Sequence, residues 1–238
     1  MGSFPFSIVI PTYNEAGGIE RLLRGLNEVF VANGLDGEII VVDDNSPDGT
    51  GAIVDRLAAE LPVRCLHRAG KLGLSSGVIE GWAFARKESV ALGAMDADFS
   101  HDINIFPKMV EALASGQYGL AIGSRYVKGG GITNWPAKRI VTSKVACWLA
   151  RPLTNIKDIT SGYFLIKREA LDGVQLDPIG FKIGLEVVAK GHYGRAIEIP
   201  YVFTDRIVGE SKLNQKEIFN YLKQLRKLYA ARLFPGKV

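Results

Sequence analysis

Short apolar runs rich in valine and isoleucine alternate along this chain with stretches in which apolar residues return every three or four positions. Runs at 7–11, 38–43, 63–67, 90–96 and 118–123 predict strands, and the periodic stretches at 15–31, 50–60, 75–87 and 105–114 predict the helices between them. The pattern continues with a helix over 138–151, a strand over 163–167, a helix over 183–190, a strand over 196–203 and a last helix over 216–233. Repeated strand and helix units of this kind imply an α/β fold whose mostly parallel sheet is covered by helices on both faces. Ligands then bind at the carboxyl ends of the strands. Residues 128–136, with three successive glycines, read as a long mobile loop. No repeat, low-complexity tract or linker divides the chain. The expected organisation is one domain over 1–213, with a basic amphipathic helix over 214–238 that either belongs to it or contacts a membrane.

Composition changes this picture in three places. A chain of 238 residues with 47% apolar content can build one substantial core. No uninterrupted apolar run reaches 18 residues, and residues 1–7 lack the features of a secretory signal, so the expectation is a cytoplasmic protein. Cys65 and Cys147 fall in apolar stretches without a CxxC or a Cys/His metal spacing, and read as buried free thiols. His67, His101 and His192 likewise suggest no metal cluster, and only His101 stands beside candidate chemistry. The net charge of +4 is concentrated at the end: from residue 206 onward there are eight Lys/Arg and two Asp/Glu, and the preceding residues carry a slight acidic excess. Such a tail suits nucleic acid, an anionic membrane or a phosphorylated substrate, and charge alone does not choose among them.

Candidate chemistry gathers where the strands end. The first strand runs into Pro11-Thr12-Tyr13-Asn14-Glu15, and the second into Asp43-Asp44-Asn45-Ser46-Pro47-Asp48-Gly49-Thr50. Carboxylates and amides there can accept hydrogen bonds from a base and a ribose, although the second segment alone equally describes a turn and a helix cap. Neither GxGxxG nor a Walker-type GxxxxGK[ST] occurs. The fourth strand ends in Met95-Asp96-Ala97-Asp98-Phe99-Ser100-His101. Two carboxylates one residue apart can hold a hard cation, Mg²⁺ or Mn²⁺, together with diphosphate oxygens. Arg125 after the fifth strand, Lys138 and Arg139 entering the next helix, and Arg206 and Lys212 around Gly209-Glu210-Ser211 are placed to meet phosphate.

Together these segments resemble glycosyltransferase family 2 with its GT-A fold, a Rossmann-like, mostly parallel sheet, and within it the dolichyl-phosphate mannose synthases. The resemblance spans residues 7–222 and adds Lys71-Leu72-Gly73-Leu74, Gly123-Ser124-Arg125-Tyr126, Trp135 with Arg139 and Ser143, and Asp158 with Thr160. It implies that Pro11, Tyr13, Glu15, Val42 and Asp44 bind guanosine, and that Asp96, Ala97 and Asp98 meet the metal and sugar diphosphate, with Ser100 near the metal. It further implies that Arg125, Arg139 and Ser143 receive the lipid phosphate, and that Arg206 and Lys212 contact the donor diphosphate. Phe164 departs from the pattern, standing where relatives often carry Arg.

The activity so implied is inverting transfer of mannose from GDP-mannose to dolichyl or polyprenyl phosphate. The expected partners are those substrates, a membrane surface rather than nucleic acid, and small membrane-anchoring subunits, with the chain peripheral on a cytoplasmic membrane face. A polyprenyl-phosphate glucosyltransferase, another family transferase, or a noncatalytic module for nucleotide sugar or membrane remains open on the same residues. Because a phosphate monoester is already ionised near neutral pH, the implied reaction needs no side-chain base.

Overall fold

A computed structural model describes residues 3–205 and 215–233. The first half alternates strictly: β1 (Phe6–Thr12), α1 (Ile19–Ala32), β2 (Gly37–Asp43), α2 (Thr50–Leu57), β3 (Val63–His67), α3 (Leu74–Phe84), β4 (Ala91–Ala94), α4 (Phe106–Ala114) and β5 (Leu120–Ser124). The second half continues with β6 (Gly131–Thr133), α5 (Ala137–Ala150), β7 (Phe164–Lys167), α6 (Ile183–Lys190), β8 (Ala196–Pro200), β9 (Val202–Thr204) and α7 (Gln215–Leu233).

Seven strands form one sheet in the order β3-β2-β1-β4-β7-β5-β8, parallel except for β7, which runs against both neighbours. Their alternating side chains feed two cores. Phe6, Ile8 and Ile10 of β1 with Ile39 and Val41 of β2 face α1, α2 and α4. Val9, Ile40 and Val42 face the opposite layer, made by α3, α5, α6 and α7. Crossovers between parallel strands are right-handed, so reversing the direction of travel along the sheet after β3 sends α3 to the other face. That reversal makes a switch point between β1 and β4, and Pro11 and Asp96 line one cavity just beyond it.

The aromatic triplet Phe6, Phe30 and Phe106 packs with ring centroids 5.1 to 6.1 Å apart and closes over Gly37. A Cβ at Gly37 would lie 2.6 Å from both Phe6 and Phe30, so a larger residue there would break the junction of β1, β2 and α1.

Three expectations need correction. Residues 128–136 are not a bare loop: Gly131–Thr133 forms β6, parallel to β9, and Gly130 lies so close to β5 that a Cβ there would be 2.5 Å from the Ser124 carbonyl. The strand expected over 196–203 is two, because after Pro200 the chain leaves the large sheet for the small one. Cys65 is half-buried, whereas Cys147 is buried as expected. The last helix is docked on α5 through main-chain carbonyls: the hydroxyl of Tyr221 donates to Ala146 at 2.6 Å and that of Tyr229 to Leu149. Among the described residues no helix is long and apolar enough to cross a membrane.

Candidate active site

The loops after β1 and β2 are joined by their own polar groups. The amides of Asn14, Glu15 and Ala16 donate to Ser46 Oγ, Thr50 Oγ1 and Asp48 at 2.9 to 3.0 Å. Asp48 also accepts from the Thr50 amide and hydroxyl, so this segment is a side-chain-stapled turn into α2 that braces the neighbouring loop, while Gly49 at the N-cap position offers no side-chain cap. Asp44 is buried against Arg68 at 2.7 Å and accepts from the amides of Leu72 and Gly73, which fixes the loop leading into α3. Tyr13 lies under the Lys71 ammonium, 3.9 Å from the ring centre. Val42, by contrast, points into the core beneath α3, where a Cβ at Gly81 would lie 3.0 Å from it. The Val42 carbonyl accepts from Thr12 Oγ1 at 3.4 Å.

Past β4, the Ser100 amide and hydroxyl donate to Asp98 Oδ1 at 3.1 and 2.5 Å. Ser100 is buried and orients Asp98. Ala97 is part of the core, which sends Asp96 and Asp98 to the same side as neighbours of a common space. His101 is buried, held by a 2.9 Å hydrogen bond between Nδ1 and Tyr201, with Nε2 3.4 Å from Asp96 Oδ2. That approach lacks hydrogen-bond geometry, and Nε2 is one of seven buried side-chain nitrogens and oxygens without a partner among the described residues. Trp135 Nε1 is another, and both side chains line the same cavity, as expected where a polar ligand belongs.

The cavity, about 230 Å³, runs from Asp96 and Asp98 to a cationic wall. Arg125 is buried there and grips Asp158 with Nε and Nη2 at 2.7 and 2.6 Å, while Nη2 also reaches Thr160 at 2.8 Å. Burial opposes its charge, but the hydrogen bonds to Asp158 and its negative charge prevail and raise the guanidinium above its ordinary pKa. Glu198 supports Asp158 in turn, accepting from its amide at 3.0 Å and from Ser124 Oγ at 2.7 Å. Arg139 lies over the Trp135 ring at 3.9 Å, and its Nη1 donates to both oxygens of Asp205 at 2.9 Å. Ser143 is 3.3 Å from Thr160. Lys182 donates to the Thr160 carbonyl at 3.0 Å, and enclosure together with the Arg125 charge pushes its ammonium down to about 8. Beyond these cations the cavity becomes an apolar groove between α5 and α7, lined by Val145, Leu149, Ile218 and Leu222.

The model of the family described as Glycosyl transferase family 2 matches residues 7–174. The chain belongs to glycosyl transferase family 2. Among relatives of this transferase, the dolichol-phosphate mannosyltransferase of Pyrococcus furiosus is 42% identical over 226 residues, covering 93% of the chain and 63% of that relative. The chain therefore spans less than two thirds of that enzyme's length. The dolichol-phosphate mannosyltransferase of Saccharomyces cerevisiae is 38% identical, covering 95% of the chain and 88% of the relative. The solved mannosyltransferase of Pyrobaculum calidifontis, in complex with GDP-Man and Mn²⁺, superposes with a TM-score of 0.65 at 20% identity, covering 98% of the chain and 65% of that structure. The family 2 chain has the GT-A fold.

The transferase's residues fit a divalent cation and diphosphate between Asp96 and Asp98. The donor set is carboxylate oxygen, and His101 Nε2, 3.4 Å from Asp96 Oδ2, makes no hydrogen bond there. Arg206 and Lys212 lie outside the described residues. Phe164 is in the core, its ring edge-on to Trp82 at 6.0 Å, so the departure falls away from the cationic wall. Lys182 has no signal in the sequence, being one of 29 Lys/Arg at the start of an ordinary helix. Asp158 and Thr160 stand in the resemblance without a role, and the structure makes them the partners of Arg125.

Proposed function

We propose that this family 2 transferase moves mannose from GDP-mannose to dolichyl or another polyprenyl phosphate, inverting the anomeric centre to give β-mannosyl phosphoryl polyprenol. The observation that carries the reading is the continuity of one cavity, from a carboxylate pair through Arg125, Lys182 and Arg139 to an apolar groove between two helices. An amphiphile with a phosphate head and a hydrocarbon tail matches that sequence of environments. The names of the relatives support the same donor and acceptor.

Pro11, Tyr13, Glu15 and Asp44 form the nucleoside side, with Val42 contributing backbone. Asp96 and Asp98 would hold Mg²⁺ or Mn²⁺, with Ser100 orienting Asp98; the cation supplies Lewis-acid stabilisation of the leaving diphosphate. Arg125, Arg139, Ser143 and Lys182 receive the acceptor phosphate. Its second pKa of about 6 makes it a dianion at neutral pH. No protein base is needed, and what the chain must do is bring two anions together and exclude water. Arg139 reaches the acceptor by sharing or exchanging Asp205. The apolar rim of the groove, Val141, Val145 and Trp148 of α5 with Ile218, Phe219 and Leu222 of α7, is exposed beside Lys144, Lys216 and Lys223. This face would rest on an anionic membrane, each cation adding about 1 kcal/mol. Residues 1–213 then carry catalysis and α7 completes the lipid groove.

The test is transfer of labelled mannose from GDP-mannose to polyprenyl phosphate, with and without divalent cation, and the anomeric form of the product. Cation-dependent β-linked lipid product is expected. Preference for a UDP-sugar, transfer to a soluble glycan, or an α-linked product rejects the reading.

A further inference from the structure

Away from the cavity, on the α2 side of the first strands, three side chains of different chemistry converge. Cys65 and His67 are two apart on β3 and therefore share one face of the sheet, the face on which α2 packs. Asp55 projects from α2 beside them, because Val54 and Leu57 fix the helix by their burial in the core. One ligand atom from each of Asp55, Cys65 and His67 lies within 4.8 Å of the others.

We propose that Asp55, Cys65 and His67 bind one soft divalent cation of the zinc type, independent of the carboxylate pair after β4. The imidazole is already turned toward such an ion, since both Asp55 oxygens lie 3.0 to 3.1 Å from His67 Nε2. Two ligands of a tetrahedral zinc at about 2.0 to 2.1 Å are separated by roughly 3.3 Å. The hydrogen bond thus holds the pair near a coordinating separation. On the other side the ring lies against the backbone of α2, in the space left by Gly51. A Cβ there would be 3.0 Å from Nδ1 and 3.2 Å from Asp43 Oδ2.

The donor set decides the kind of cation. A carboxylate pair suits Mg²⁺ or Mn²⁺, whereas a thiolate with an imidazole selects zinc-like ions. On binding, Cys65 gives its thiol proton to solvent, and the charge of thiolate and Asp55 then balances the 2+ ion. Asp55 and His67 are half exposed, which leaves the fourth position to water. Occupied, the site would clip α2 to β3 at the level of Asp43, the register partner of His67.

The test uses the full chain in excess Mg²⁺, titrated with Co²⁺ as the probe. The expected result is one equivalent producing a near-ultraviolet thiolate-to-cobalt band, reversed by Zn²⁺. Cys65→Ser removes the band, His67→Gln weakens Co²⁺ binding by at least about tenfold, and Asp98→Asn leaves both band and affinity in place. His67→Gln changes an exposed side chain, so it remains informative if Cys65→Ser folds poorly. Absence of the band in the wild-type chain, its survival in Cys65→Ser, unchanged affinity in His67→Gln, or its loss in Asp98→Asn overturns the proposal.

Discussion

The two sides of the cavity are built in opposite ways. On the side of β1, β2 and β4, short loops hydrogen-bond one another, and three of the four non-glycine residues with positive φ among the described residues occur there: Asn14, Asn45 and Phe99, at φ 56° to 60°. Phe99 is the least tolerant of that conformation, and it is held between Gly18 and the Arg21 guanidinium. On the side of β5, α5, α6 and α7, the polar groups are cations with carboxylate and hydroxyl partners from distant segments, and the rest is apolar helix. The first side suits a small soluble ligand of fixed shape, for which strained loops can be held in advance. On the proposed function the second admits a charged head whose tail stays outside. Its cations therefore differ in how tightly they are held, from buried Arg125 to Arg139 near the surface.

That gradient can be broken by removing the partner carboxylates. Asp158→Ala leaves Arg125 buried and unpaired and is expected to cost about 3–5 kcal/mol of stability. Asp205→Ala, at a partly exposed pair, should cost no more than about 1 kcal/mol. Urea midpoints at unchanged m-value measure both, and equal losses would refute the distinction between the two arginines. On the other side, Asp98→Asn preserves size and removes charge. Turnover should fall by about 10²–10³, measured over a range of cation concentrations, and near wild-type turnover at limiting cation would remove Asp98 from the site.

Two smaller effects sharpen the contrast. Arg139→Ala removes charged hydrogen bonds of about 1.5–3 kcal/mol, so acceptor affinity should weaken by roughly ten- to a hundredfold with donor affinity little changed. Initial rates with each substrate varied in turn check this; a mainly donor effect would place Arg139 on the wrong side. Lys182, pushed down to about 8 by enclosure and Arg125, should lose its proton in the free enzyme as pH rises through that value. The protonated form attracts the acceptor, so kcat/KM for acceptor should fall on the alkaline side near pH 8, and Lys182→Met should abolish that limb. An unchanged limb in the variant would show that another group causes it.

The sequence reveals the two sides to different depths for the same reason. Asp96 and Asp98 are two positions apart at a strand end, so their place along one cavity follows from the local sequence. Arg125 and Asp158 are 33 residues apart, and their pairing depends on β7 running antiparallel between β4 and β5, which no local pattern predicts. The large strands are legible because valine and isoleucine fill them. The three-residue strands β6 and β9 are hidden among glycine, aromatic and polar residues, and only the paired structure defines them. The resemblance implies that Ser100 stands near a metal, whereas its hydrogen bonds to Asp98 give it an orienting part. Lys182 becomes visible only when α6 brings it to the Thr160 carbonyl.

Glu198 carries a further consequence, for how the chain avoids misfolding. It occupies the middle of β8, an edge strand, between Ile197 and Ile199, which face the core on the α4 side. Because strand side chains alternate, a slip of one residue against β5 would drive this carboxylate into that apolar layer and expose both isoleucines. A charge so placed makes the wrong alignment costly and deters a second chain from pairing along the same edge. The residue that steadies Asp158 in the finished enzyme thus also acts during assembly, as the ratchet tooth that lets the final strand of the large sheet settle in one alignment.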